Sequence, residues 1–258
     1  MSWTEPVAKT FPLNVSCGSA VKTRERGEES CMGFSMLDEF PSELAAEQLS
    51  ALLCSRLCHD LVSPVSALGA ALSVLDDGDA SDMHEDAMEL VRESSRQAQA
   101  KLEFARLAFG GGGSAPGVLD CRELQRLTEN MYQAFKPEIV WKVEAAGLEK
   151  SAGRLLLNLC SLGVDAAPRG GTVTVEATSS AGGARLRVVT EGPRARLEEG
   201  TALALEGQAP ENGFDGRSIQ PYYTALIARS AGGRVSAHAD GERVEFQALL
   251  KPVEGMIG

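Results

Sequence analysis

Two long stretches of helical period, joined by a short acidic turn, constrain this chain more than anything else in it. When successive residues advance by about 100°, Leu53, Leu57, Leu61, Val65, Leu68, Leu72 and Leu75 fall into one stripe. Met83, Ala87, Leu90, Val91, Ser94, Ala98, Leu102 and Ala105 recur at spacings of three and four. Between the two stretches DDGDASD, Asp76 to Asp82, is rich in helix breakers and caps. The pattern predicts a first helix from Ser42, with Glu43 and Glu47 in its first turn, to about Leu75. A second is predicted from Met83 to about Phe109, and each stripe is expected to be the buried side of its helix. A hairpin of two such helices cannot surround its own core. The stable solution pairs two hairpins into a four-helix bundle, so a homodimer is expected.

Downstream the pattern changes. GGGGSAPG, Gly110 to Gly117, is too flexible for helix or strand and reads as a linker. It is not read as a phosphate-cradling loop, because no Lys-Ser/Thr follows it and no strand presents it. Beyond it come a short strand at Val118 to Cys121, a helix over Arg122 to Phe135, a strand Ile139 to Glu144 and a helix Ala152 to Val164. Strands Thr172 to Thr178 and Arg185 to Thr190, a long loop, a helix Ser218 to Ala231, and strands Arg234 to Ala239 and Arg243 to Leu250 complete the order. This order predicts one layer of helices on a mixed sheet, with Gly182-Gly183 and Asp240-Gly241 turning hairpins. Residues 1–40 show no sustained period and read as a flexible tail. The expected organisation is α+β: a tail (1–40), a helical-hairpin domain (41–110), a linker (111–117) and an α/β sandwich domain (118–258).

Charge narrows the partners. The 258 residues carry a formal net charge of −11, with a pI near 4.9. Such a surface repels phosphate backbones and anionic lipid, so neither nucleic acid nor membrane is an expected partner. The chain shows no run of the roughly 18 apolar residues a spanning helix needs, and no signal-peptide layout at its start, so a cytoplasmic location is expected. The six cysteines, Cys17, Cys31, Cys54, Cys58, Cys121 and Cys160, form no framework, and disulfides are not expected. Cys54 and Cys58 lie one helical turn apart beside His59. Zinc wants four ligands, however, and the other histidines, His84 and His238, fall in separate elements, so no metal site is expected. His84, at the start of the second helix, reads as a surface and capping residue.

His59 stands out within the first helix. On the helical wheel it points almost opposite the apolar stripe, flanked by Ser55, Ser63, Ser66 and Ala70. An imidazole among small side chains is open to a large partner, as a surface phosphoacceptor must be. Most lone histidines on a helix are merely solvated; the neighbouring sequence argues otherwise. Asp60 follows directly, Ser63 lies one turn on, and Pro64 sits inside the helix. A proline there costs about 3 kcal/mol in an ordinary helix and releases the carbonyl of Asp60 from its usual partner. A bend just past His59 is expected, together with some compensation for the proline.

The run His59, Asp60, Ser63, Pro64 resembles the H-box of the dimerising helices of two-component histidine kinases. RLCHDLVSPVSALGAAL, with QPYYTALIA (Gln220 to Ala228) further on, is similar to the alphaproteobacterial histidine phosphotransferase family typified by ChpT. The likeness covers roughly Leu44 to Pro252. It implies a phosphorelay intermediate, in which His59 takes a phosphoryl group from the receiver of a hybrid kinase such as CckA and passes it to receivers of regulators such as CtrA and CpdR. Asp60 would orient the ring or share its proton, and Arg56 would pair with Asp60 or meet a receiver carboxylate. Ser55, Ser63 and Ser66 would leave room for the receiver, with Ser63 and Ser66 donating to phosphoryl oxygens. Tyr222 and Tyr223 read either as a partner-docking patch or as core filling. Mg2+ would come with the receiver, and no cofactor of the chain's own is implied.

The order of the downstream elements is also similar to the ATP-binding domain of histidine kinases. Judged by that likeness, the asparagine that holds magnesium and phosphate is replaced by Leu162, and the adenine-binding aspartate by Thr190. The glycines that follow become Arg194 and Ala195, and Gln220 and Pro221 stand in the glycine-rich lid, which maps to Ser218 through Tyr223. Without a carboxamide oxygen a metal ligand is missing, and without glycines the backbone cannot approach a triphosphate. ATP binding is therefore not expected, and likeness of fold is no argument for kinase activity. Two other readings remain open from the sequence: an ATP-dependent sensor kinase with divergent boxes, and a non-catalytic dimeric adaptor for receivers.

Overall fold

The computed structural model describes residues 43–110, 117–180 and 183–251. The tail, the helix start at Ser42, the Gly-rich linker up to residue 116 and Gly182 of the first hairpin turn lie outside them. The described chain opens with α1 (Ala46–Leu75), a short 3-10 helix (Gly78–Met83) and α2 (His84–Ala108). Asp77 caps the 3-10 helix, its side chain accepting from the Asp79 amide at 3.0 Å, as the breaker-rich DDGDASD implies. Next come β1 (Val118–Asp120), α3 (Cys121–Tyr132), β2 (Pro137–Trp141), β3 (Gly147–Glu149) and α4 (Lys150–Ala166). The chain continues through β4 (Gly171–Ser180), β5 (Gly183–Glu191), α5 (Glu199–Leu205), α6 (Ile219–Ser230), β6 (Arg234–Asp240) and β7 (Arg243–Leu250).

The fold is α+β. Five strands form a mixed sheet in the order β2-β4-β5-β7-β6, with β2 parallel to β4 and the other pairs antiparallel. β1 and β3 form a separate two-stranded ribbon. Gly241, at a φ of 57°, turns the β6–β7 hairpin where Asp240 faces Arg243. The helices α4 and α6 lie against the sheet, and every residue of α4 from Leu155 to Val164 is buried. Gly163 allows that approach, since a Cβ there would lie 2.7 Å from Val188 Cγ1 on β5. Two elements escaped the sequence reading: β3, too short to show alternation, and α5, seven residues inside the predicted long loop.

The hairpin corrects two expectations. First, its stripes are not wholly buried within one chain. On α1 the buried residues are Pro64 and Ala71, while Val65 is 55% and Leu72 51% exposed. On α2 Ala87, Ser94 and Ala105 are buried, but Leu90 and Leu102, like Met83 just before the helix, stand out in solvent. The apolar arc is wider than a single neighbouring helix can cover. Second, α1 is the one helix among the described residues long and apolar enough to cross a membrane, with a mean hydropathy of 1.4 over its best window. The sequence expectation looked for an unbroken apolar run and so missed this. Length and composition alone produce the result, and a helix with apolar neighbours on two sides has the same composition.

The hairpin is joined to the α/β module at its open end, where α1 begins and α2 finishes. Leu44, Leu49, Leu52 and Leu53 pack around Ala204, Ile219 and Tyr222, placing the first half of α1 on α5 and α6. Beside them, at the end of α2, Asn158 of α4 donates to the carbonyl of Ala108 at 3.0 Å, and the Tyr223 hydroxyl donates to that of Phe109 at 3.2 Å. These are the orphan carbonyls of the end of α2, satisfied by tertiary partners.

Candidate functional site

Between the hairpin and the module lies an open cleft of about 670 Å3. Its walls come from α1 (Arg56, His59, Asp60, Ser63), α2 (Lys101), α3 (Tyr132), the end of α4 (Asp165) and the segment from Glu198 to Ser218. The His59 side chain is 64% exposed, so a partner reaches the ring without displacing protein. Ser55, Ser63 and Ser66 are exposed around it. The loop before α6 closes on α1 here: a Cβ on Gly216 would sit 3.5 Å from Ser55 Oγ and from the backbone nitrogen of Arg56.

The polar groups in this cleft are tied together. His59 Nδ1 lies 3.4 Å from Asp60 Oδ1. The other carboxylate oxygen, Oδ2, accepts from Arg56 Nε at 3.0 Å, one helical turn back. Arg56 Nη2 is also 3.9 Å from Asp165 Oδ2 on α4. The Arg56 side chain is only 14% accessible. Burial opposes its charge, but the carboxylates of Asp60 and Asp165 outweigh that, and its pKa is raised. Asp165 shifts up as well. Surrounding protein strips bulk solvent from it although 56% of its side chain still faces the cleft, and Asp60 and Glu198 add like charge against the pull of Arg56 and Arg217.

Lys101 completes the set. Its Nζ donates to the carbonyl of Asp60 at 2.7 Å, across 41 residues of sequence. This is the carbonyl that Pro64 leaves without its helical donor. α1 continues through Pro64 to Leu75, and an ammonium from α2 supplies the missing hydrogen bond. The compensation expected for the proline is thus a lysine placed within the His59 cleft. Sequence reasoning missed Lys101, Asp165 and Arg217, because each sits on an element with no local sign of a site. Only the freed carbonyl called for a donor somewhere.

Of the two readings of the tyrosines, the structure shows core filling for Tyr222 and corrects the docking reading there. Tyr222 is buried, its hydroxyl accepts from the Leu44 amide at 3.2 Å, and its ring lies 4.6 Å from that of Phe214. Tyr223 is half-buried, its hydroxyl accepting from Arg154 Nη2 at 2.6 Å while donating to Phe109. Of the alternatives for Arg56, the structure shows the pairing with Asp60. Cys54 and Cys58 carry free, exposed thiols.

The positions likened to a kinase nucleotide site have other work in this fold. Leu162 is buried in α4, and the buried Thr190 hydroxyl donates to the carbonyl of Gly163 at 2.9 Å. Arg194 has a φ of 61° and Ala195 is buried. Gln220 and Pro221 form the buried first turn of α6. Leu162, Pro221 and Phe246 help line a space of only about 40 Å3.

Three comparisons bear on this geometry. The family model of the histidine phosphotransferase C-terminal domain matches residues 121–243. The protein phosphotransferase ChpT of Brucella abortus (strain 2308) is 40% identical over 208 residues, which make up 81% of this chain and 98% of that protein. A bacterial phosphotransferase whose structure was solved at 1.7 Å is 38% identical with a TM-score of 0.73, the match covering 81% of this chain and all of that one.

Proposed function

The chain belongs to the ChpT family of histidine phosphotransferases, and from that premise we propose that His59 is the phosphoacceptor of a two-component phosphorelay. The observation that carries this is the position of the ring, which stands open at the mouth of a cleft with a carboxylate at Nδ1. With Nδ1–H donating to Asp60, the lone pair lies on Nε2, free to attack the phosphoryl group of a receiver's aspartyl phosphate. The P–O bond to that aspartate breaks as the P–N bond forms, and the leaving carboxylate keeps the electron pair. A second receiver's aspartate then attacks the phosphohistidine. Such transfers need alignment and charge neutralisation more than covalent help, and Mg2+ arrives with the receiver. Ser63 and Ser66 stand ready as donors to phosphoryl oxygens.

The finer assignment follows the family: a hybrid-kinase receiver of the CckA type as donor, and regulators of the CtrA and CpdR type as acceptors, in the cytoplasm. Residues 41–110 form the dimerisation and phosphotransfer domain and 118–258 a degenerate kinase-like module that takes no ATP. A second copy covers the exposed apolar face of the hairpin, making the four-helix bundle that two unsatisfied stripes require.

The test is to mix the protein with a receiver phosphorylated on aspartate. An acid-labile, base-stable label on the chain, abolished in His59→Gln, is the expected result. An adaptor would bind the receiver unlabelled and be indifferent to the substitution, and micromolar nucleotide binding in a calorimeter would revive the kinase reading.

A further inference from the structure

We propose that Asp165, in the last turn of α4, is a positioning residue for His59, acting from the α/β module through Arg56 and Asp60. The proposal rests on the phosphoacceptor reading and assigns the module a part in it. The chain of contacts is continuous. Asp165 Oδ2 faces Arg56 Nη2 at 3.9 Å, Arg56 Nε donates to Asp60 Oδ2 at 3.0 Å, and Asp60 Oδ1 meets His59 Nδ1 at 3.4 Å. A guanidinium is a planar fork, and a carboxylate on each side fixes its plane where one alone leaves it free to swing. Held in this way, Arg56 occupies one oxygen of Asp60 and leaves the other for the ring. That selects the Nδ1–H tautomer and puts the lone pair on Nε2.

The position of Asp165 supports a role beyond α4 itself. A carboxylate in the last turn of a helix faces the negative end of the dipole, and the last turn of α4 has no basic residue to offset it. Locally Asp165 is a poor choice. It makes sense through its tertiary partner, Arg56, which comes from the other half of the molecule. Charge argues the same way: Asp165, Arg56, Asp60 and a neutral ring sum to −1, and the phosphoimidazolium formed at His59 brings that sum, leaving the phosphoryl oxygens aside, to zero. Lys101, Glu198, Asp215 and Arg217 share the cleft and complete its charge pattern. A module that holds no nucleotide would thus still set the reactivity of the histidine.

The experiment compares Asp165→Asn, Asp60→Asn and the double variant in single-turnover transfer from a phosphorylated receiver, with each fold checked by thermal melting. Asp165→Asn is expected to slow transfer about 5- to 10-fold with receiver affinity unchanged, and to add less than about 2-fold in the Asp60→Asn background. Full multiplication of the two effects would mean that Asp165 acts independently of Asp60, and transfer at the wild-type rate would mean that it does not act; either overturns the proposal. If Asp165→Asn does not fold, Arg56→Lys, which lacks the fork, is expected to slow transfer similarly. A second readout needs no receiver: the long-range 1H–15N spectrum of the His59 ring should show a smaller share of the Nδ1–H tautomer in Asp165→Asn, and an unchanged share overturns the proposal. A wild-type protein that takes no label overturns the phosphoacceptor reading instead, while the ring spectrum still decides the role of Asp165.

Discussion

In α4, 17 residues long, every side chain from Leu155 to Val164 is buried; α1 has 30 residues and buries only Pro64 and Ala71. The two helices are similarly apolar to the eye, yet one finishes its core within the chain and the other leaves Val65 and Leu72 in solvent. The α/β module has a sheet beneath α4 and α6 beside it. The hairpin has α2 along its length and the module only at its open end. An apolar residue is worth what it removes from water, so the stability of one chain is concentrated in the module, and the surplus in the hairpin is available for association.

That contrast is open to direct attack. Leu155→Ala, at a site with no exposure, should cost about 2–5 kcal/mol in denaturant unfolding, the range for a cavity in a packed core. Leu72→Ala should leave the stability of dilute, monomeric protein within about 0.5 kcal/mol while weakening self-association measured by sedimentation. Equal losses at the two sites in dilute protein would erase the distinction. A smaller effect concerns acid. Glu245 on β7, hydrogen-bonded by Arg187 and also by Gln247 and Arg243, has its pKa pulled down to about 2. Its unfolded value is about 4.3, so the stability it contributes is present above that pH and is lost as pH falls toward 2. Glu245→Gln should therefore be less stable by roughly 1–2 kcal/mol near neutrality and show a flatter stability profile between about pH 4.5 and 2, followed by chemical unfolding. A loss smaller than that of Glu245→Gln is expected at the junction of the two regions. Tyr223→Phe removes a hydroxyl that serves both Arg154 and Phe109, and should cost about 1 kcal/mol in the same assay. No loss would mean that the junction is held by packing alone.

Much of this was legible from residue order. The periods of both helices, the breakers between them and the strand–helix alternation after Gly117 placed nearly every element, because each rests on contacts between neighbours in sequence. His59 was legible for the same reason: its outward direction follows from the angle it makes with the leucine stripe. Pro64 even announced an unpaired carbonyl. Its partner was beyond reach, since nothing near Lys101 distinguishes it from other lysines on a solvated helix face.

The sequence alone therefore determined which long stretches are helical and which face carries the histidine, since backbone period and side-chain chemistry are local properties. Only the tertiary structure decided that Lys101 takes the carbonyl of Asp60, that Arg56 is shared with Asp165, and that Tyr222 serves the joint between α1 and α6. Each of those depends on where the module packs against the hairpin. That packing is set by shape and burial summed over many residues from distant parts of the chain, which no short stretch of sequence encodes.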